Sequence, residues 1–268
     1  MTAATRSAPT RQAPIDTYRK TALIVGVLFV LTLITGIGEA ILYGPVIDDP
    51  NYILGPGKDF QVLLGAVFGI GIVITNIATS LVLFPLLRRQ NETLALGYVA
   101  ARLVECALIA IGILSVLTVV TLRQNAAGAD PGSLLVAGQT LVGINRWTFA
   151  IGPGFVAGVG NGLILGWMMY RSGLVPRRLA LMGVIGGPVL ATSGIAVILG
   201  VIRLGSPAQG LLTIVDAVWE IGVMGLYLIF VGFRPAAVTA LVSGSRPADE
   251  FGSTSGSPVT LSPAPGAA

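Results

Sequence analysis

The sequence predicts an all-α polytopic membrane protein, a bundle of six transmembrane helices with both termini on the cytoplasmic side and disordered tails. Three observations carry this. Hydrophobic residues make up 54% of the 268 and charged residues only 10%, and the mean hydropathy is +0.86. A soluble domain of this length needs a far more polar surface. The apolar residues fall in long blocks, and a run of ~20 is what an α-helix needs to cross hydrocarbon. Most of the basic residues sit at block ends, and most of those fall on one side.

Residues 1–19 are small, polar and Pro-containing and predict a disordered tail. The first block, "ALIVGVLFVLTLITGIGEAILYG", is too long for a signal-peptide core and has no convincing small-x-small cleavage site, so it predicts a span over roughly 20–43. The second span is 60–87 and the third about 95–122. The stretch 133–170 is too long for one untilted crossing. It divides into a short outer segment, "SLLVAGQTLVGI", and a fourth span opening at Trp147. The fifth span is 179–202 and the sixth 210–233; beyond Arg234, Pro, Gly, Ser and Ala predict a disordered tail over 235–268.

With the N-terminus inside, the cytoplasmic side collects Arg6, Arg11, Arg19, Lys20, Arg88, Arg89, Arg171, Arg177, Arg178, Arg234 and Arg246. The outer side keeps Lys58, Arg123 and Arg203, which orients the protein N-in and C-in. The preference for arginine over lysine, with abundant Ala and Gly, points by association to a bacterial cytoplasmic membrane.

The same distribution accounts for the net charge of +4 and the pI of about 9.6 without a nucleic-acid partner. One cysteine, Cys106, and no histidine argue against a disulfide framework, a metal site and the usual haem or Cys–His chemistries, so no cofactor is expected. The string "GVGNG" at 158–162 lacks the strand before it and the Lys–Ser/Thr after it that a phosphate loop needs. Gly65 with Gly69, Gly158 with Gly162 and Gly183 with Gly187 have the small-xxx-small spacing that lets helices approach in lipid.

Chemistry concentrates in a few intramembrane charges. In the sixth span Thr213, Asp216, Glu220 and Tyr227 form one stripe at ~100° per residue, which aims the two acids into the bundle. Acids four residues apart repel, and a proton or a cation relieves them. The first span carries Thr32, Thr35, Glu39 and Tyr43 on a similar stripe, and Arg146 opens the fourth span from the same side. Counting ~1.5 Å per residue puts Glu39, Arg146, Asp216 and Glu220 in a similar range of depths, an outward-facing pocket for a ligand or proton. Arg102 and Glu105, at i and i+3 in the third span, read as a locally satisfied structural ion pair. Asn76 and Asn161 read as interhelical hydrogen-bonding amides.

"RKTALIVGVLFVLT", "YGPVIDDPNYILG", "LFPLLRRQNETLALGYVAARLVE" and the run from "RWTFAIGPGF" to "GWMMYRSGLVPRRLA" resemble the bacterial membrane family catalogued as domain of unknown function number 4386. The resemblance covers roughly residues 19–234. It implies a six-helix integral membrane protein and carries over no activity or catalytic residue.

The first functional reading is a structural or accessory membrane protein, partnered by the bilayer and by another membrane protein or a second copy. The alternative is a small proton- or cation-coupled transporter using the acidic pocket, its small-molecule ligand unidentified. An intramembrane enzyme has the least behind it, since histidine is absent and no Ser–Lys or paired-Asp motif stands out.

Overall fold

Six helices long and apolar enough to span a membrane form the computed structural model, joined by short connections. It describes residues 13–243, with side chains from 17 onward except those of 215, 216, 217 and 221. The helices are α1 (Ala13–Asp48), α2 (Asp59–Leu87), α3 (Glu92–Gln124), α4 (Pro131–Ser172), α5 (Arg177–Ile198) and α6 (Pro207–Phe230). Each packs against its neighbours in sequence, and α6 returns to α1, so the six close a ring.

The start of α1 and the end of α6 meet at what we call the proximal end. There Arg19 donates to the carbonyls of Leu228 at 3.0 Å and Ile229 at 2.7 Å. The guanidinium satisfies carbonyls that a helix C-terminus leaves open and opposes its partial negative charge. At the distal end Arg123 of α3 clamps Asp59 of α2 through two bonds of 2.7 and 2.6 Å and also reaches Gly55 O at 2.9 Å. Tyr52, in the 49–58 connection, donates to the same carboxylate at 2.8 Å. Burial, and then that hydrogen bond, push the Tyr52 phenol up to about 12, so it stays a donor through neutral pH. Gly57 has φ +62°, and a Cβ there would run into the Arg123 guanidinium.

Helix starts follow ordinary capping rules. Asn91 accepts from Leu94 N at 2.9 Å and Asp130 from Ser133 N at 2.8 Å, with Pro131 at the first helical position of α4. Bonds from Ser133 hold the Asp130 carboxyl below the usual carboxylate range.

Three sequence expectations are corrected. The stretch 133–170 is not an outer segment plus a span but part of one 42-residue helix, α4. Around Pro153 it widens to π-helical winding over Gly152–Val156 and Gly158–Leu165, which accommodates the proline without ending the helix. At up to 1.5 Å per residue α4 measures roughly 60 Å, beyond the ~30 Å of hydrocarbon. The first helix begins at Ala13, ahead of residue 20. The expected tail from 235 starts as a helix, α7 (Pro235–Ser243), whose Val238 is buried. The rest of both predicted tails, 1–12 and 244–268, lies outside the described residues.

Two apolar clusters divide the ring by depth. The proximal one draws on all six spans, from Val25 and Phe29 through Leu86, Tyr98, Met168 and Ala180 to Trp219 and Leu228. The distal one, around Tyr43, Val62, Ile113 and Val116, is built from α1 to α3 and the following connections and α4. Among the described residues nothing from α5 or α6 joins it, which leaves room at the distal end of the ring.

Glycine sets the closest contacts. A Cβ at Gly187 of α5 would meet Gly158 O and Leu163 N of α4 at 2.5 Å, whereas one at Gly186 meets nothing within 4 Å. Gly187→Ala therefore should lower unfolding stability by about 1–3 kcal/mol through forced separation of α4 and α5. Gly186→Ala should be neutral, or stabilise by up to about 1 kcal/mol. Thermal or denaturant unfolding of the two variants in the same detergent checks the pair.

Candidate functional site

The ring encloses a cavity of about 610 Å³ in its distal half. Its deep end is charged. Arg102, Glu105 and Glu220 are 2%, 5% and 3% exposed. Arg102 Nη1 donates to Glu105 Oε2 at 3.1 Å, and Nη2 donates to Glu220 Oε1. Asn76 of α2 donates its amide to Glu105 Oε1 at 3.4 Å, and the Tyr98 ring lies 5.9 Å from the guanidinium. One guanidinium thus serves two carboxylates on two helices. When both acids are ionised, these three groups carry one negative charge in excess.

Depth explains why these residues meet. Arg102 stands ten residues after Glu92, the start of α3, and Glu220 ten before Phe230, the end of α6. Both are therefore about 15 Å from the proximal end. Glu220 also falls in a π-helical stretch, Val218–Met224, as does Asn161 in α4.

The cavity's polar lining is not saturated. Among the described residues, Asn76 Oδ1, Asn161 Oδ1, Arg102 Nε and the Tyr43 hydroxyl are buried without a hydrogen-bond partner, and all four residues line the cavity. Buried polar atoms are nearly always paired, with protein or with a bound molecule, because an unmade bond costs about 1–3 kcal/mol.

Glu39 lines the same cavity from α1, half-buried, and forms no hydrogen bond or ion pair among the described residues. Its carboxylate rests where a Cβ on Gly69 would sit, and the Tyr43 ring fills the same space over Gly65. The small-xxx-small spacing of α2 thus admits two α1 side chains as well as bringing helices together.

The other expected site residues fall differently. Asp216 lies on the backbone of α6, but its side chain is outside the described residues. Arg146 is not part of the main cavity's lining. It donates to Ile47 O at 2.7 Å, tying α4 to the distal end of α1, and lines a second space of about 300 Å³ beside Asp49. Sequence reasoning matched Glu220 with Arg146 on depth alone and kept Arg102 for Glu105; the structure joins Glu220 to Arg102. Counting both positions from the proximal end would have suggested it. Cys106 is buried, its thiol directed at Val73 O at 3.7 Å.

Replacing Arg102 by Met strands two buried carboxylates, so we expect a loss of about 3–5 kcal/mol in unfolding stability. Glu39→Gln, which breaks no bond, should stay within about 0.5 kcal/mol of the parent. Unfolding midpoints of both variants in one detergent decide the contrast.

The family described as a domain of unknown function, DUF4386, matches residues 24–232. No curated protein and no solved structure matches the chain.

Proposed function

This chain belongs to the DUF4386 family, and from that premise we propose that it is an accessory multi-pass membrane protein that binds a small ligand in its distal cavity. The observation that carries the reading is the unsaturated charged floor. Arg102, Glu105 and Glu220 are held in place by one another, while the buried acceptors Asn76 Oδ1 and Asn161 Oδ1 beside them have no partner among the described residues. A purely structural network would close those bonds internally.

The cavity is one-ended. Below the charged floor the proximal half is filled by apolar side chains from all six spans, so the geometry favours capture over passage and lends the carrier alternative no support. Pro153 and Asn161 in α4 and Glu220 in α6 fall on π-helical stretches that border the cavity, a winding often retained at functional sites. The excess of Lys and Arg at the proximal end supports a cytoplasmic position for both termini, with the cavity facing outward across a bacterial cytoplasmic membrane.

Thiol accessibility tests this in the full chain. In a Cys106→Ala background, Glu39→Cys and Thr148→Cys should react with a charged, membrane-impermeant thiosulfonate in proteoliposomes from one face only. Ser80→Cys, buried in the proximal half, should not react from either. Protection of both cavity cysteines from both faces would remove the binding reading. Reaction of Ser80→Cys would reveal a continuous water path and restore the carrier.

A further inference from the structure

Resting on the reading that the cavity binds a ligand, we infer that the ligand is a lipophilic organic cation, an ammonium group on an apolar body, and that it enters from the lipid between α1 and α6. Three observations converge on this. The first is charge. Among the described lining residues, Glu39, Glu105 and Glu220 stand against one guanidinium, that of Arg102, and Asp48 adds a further acid at the distal rim. The second is hydrogen bonding. Among the described residues, the unpartnered atoms at the deep end are two amide acceptors, Asn76 Oδ1 and Asn161 Oδ1, and one donor, Arg102 Nε. The Asn76 assignment is fixed by the carboxylate that its amide nitrogen serves. Carboxylates and amide carbonyls together ask for an N–H donor bearing positive charge.

The third is the shape of the opening. Among the described residues α1 packs on α6 chiefly along the latter's proximal part, where Gly26 and Gly225 meet, while the distal part of α6 packs on α5. The two helices therefore diverge above the charged floor. The walls of the resulting slot include Ile37, Ile41 and Ile214, which are 53%, 67% and 56% exposed on the bundle's outer surface. The eleven helical rises from Ile37 to Asp48 give the slot a height of roughly 16 Å. The distal end is partly crossed by the bond from Arg146 to Ile47 O. A molecule with an apolar body thus has a hydrocarbon-level route to a polar, net-negative floor, and the apolar walls accept the rest of it.

The test uses full-length protein in phosphatidylcholine nanodiscs and a long-chain alkylamine carrying a photoreactive diazirine. The matching alkyl alcohol and a short, water-soluble ethylammonium serve as comparators. The amine should crosslink to cavity-lining peptides about tenfold more efficiently than the alcohol, and Glu39→Gln should weaken its apparent affinity by about tenfold, as loss of a close charge pair does. Trp at both Ile41 and Ile214 should slow labelling severalfold without changing its final extent. Equal labelling by alcohol and amine overturns the cationic assignment, and an unchanged rate in the double Trp variant overturns the lateral route. If ethylammonium competes but the alkylamine does not label, the ligand is hydrophilic and the inference falls, while the binding reading stands. No labelling combined with protected thiols at Glu39→Cys and Thr148→Cys brings down the binding reading itself.

Discussion

The placement of one guanidinium organises the bundle. Arg102 sits on α3, is buried with its neighbours, and is shared by Glu105 on its own helix and Glu220 on α6. An ionised group within hydrocarbon is tolerated only when it is paired or solvated, so α3 and α6 must face one another at this depth. In a lipid environment there is no hydrophobic force to drive helices together, and a charge pair of this kind supplies direction where apolar packing cannot. The ring closure of α6 onto α1 then follows, with Gly26 against Gly225 and Arg19 on the last carbonyls of α6.

From that layer the two halves diverge. On the proximal side, small residues let backbones touch and large ones fill the axis: Gly187 against Gly158, Trp219 lying over Gly183 with its indole donating to Leu179 O at 2.6 Å. On the distal side, α1 to α4 have their own core and the Asp59–Arg123 clamp, while the distal part of α6 leans on α5. The cavity is the consequence: a space with a polar floor and apolar walls, above a proximal half filled by apolar side chains.

Much of the fold was legible because its signals are local. Six apolar blocks, bounded by Arg88-Arg89, Arg177-Arg178 and Arg234, mark the spans, since bilayer thickness sets the minimum length. Length misled at α4: 133–170 exceeds one untilted crossing and so divides before Trp147 on sequence, whereas a single helix runs through, with π-helical winding around Pro153. The site was half legible. Glu39 and Glu220 were marked by being acids in spans, and both border the cavity. The bond between Glu220 and Arg102 joins positions 118 residues apart, and no periodicity within one helix can report it. Arg102 beside Glu105 looked self-sufficient because an i,i+3 pair is a complete local explanation. Gly69 looked like helix packing alone, whereas it also makes room for the Glu39 carboxylate.

The account stands on the Arg102–Glu220 pair, and a double-mutant cycle measures it most directly. Arg102→Met, Glu220→Gln and the double variant would be compared with the parent by equilibrium unfolding in one detergent. We expect a coupling of about 1.5 kcal/mol or more, with the double variant more stable than the two single losses added together, because the second substitution removes the charge that the first strands. Strict additivity would contradict the account: it would mean that α3 and α6 do not meet through these side chains and that the cavity has no such floor.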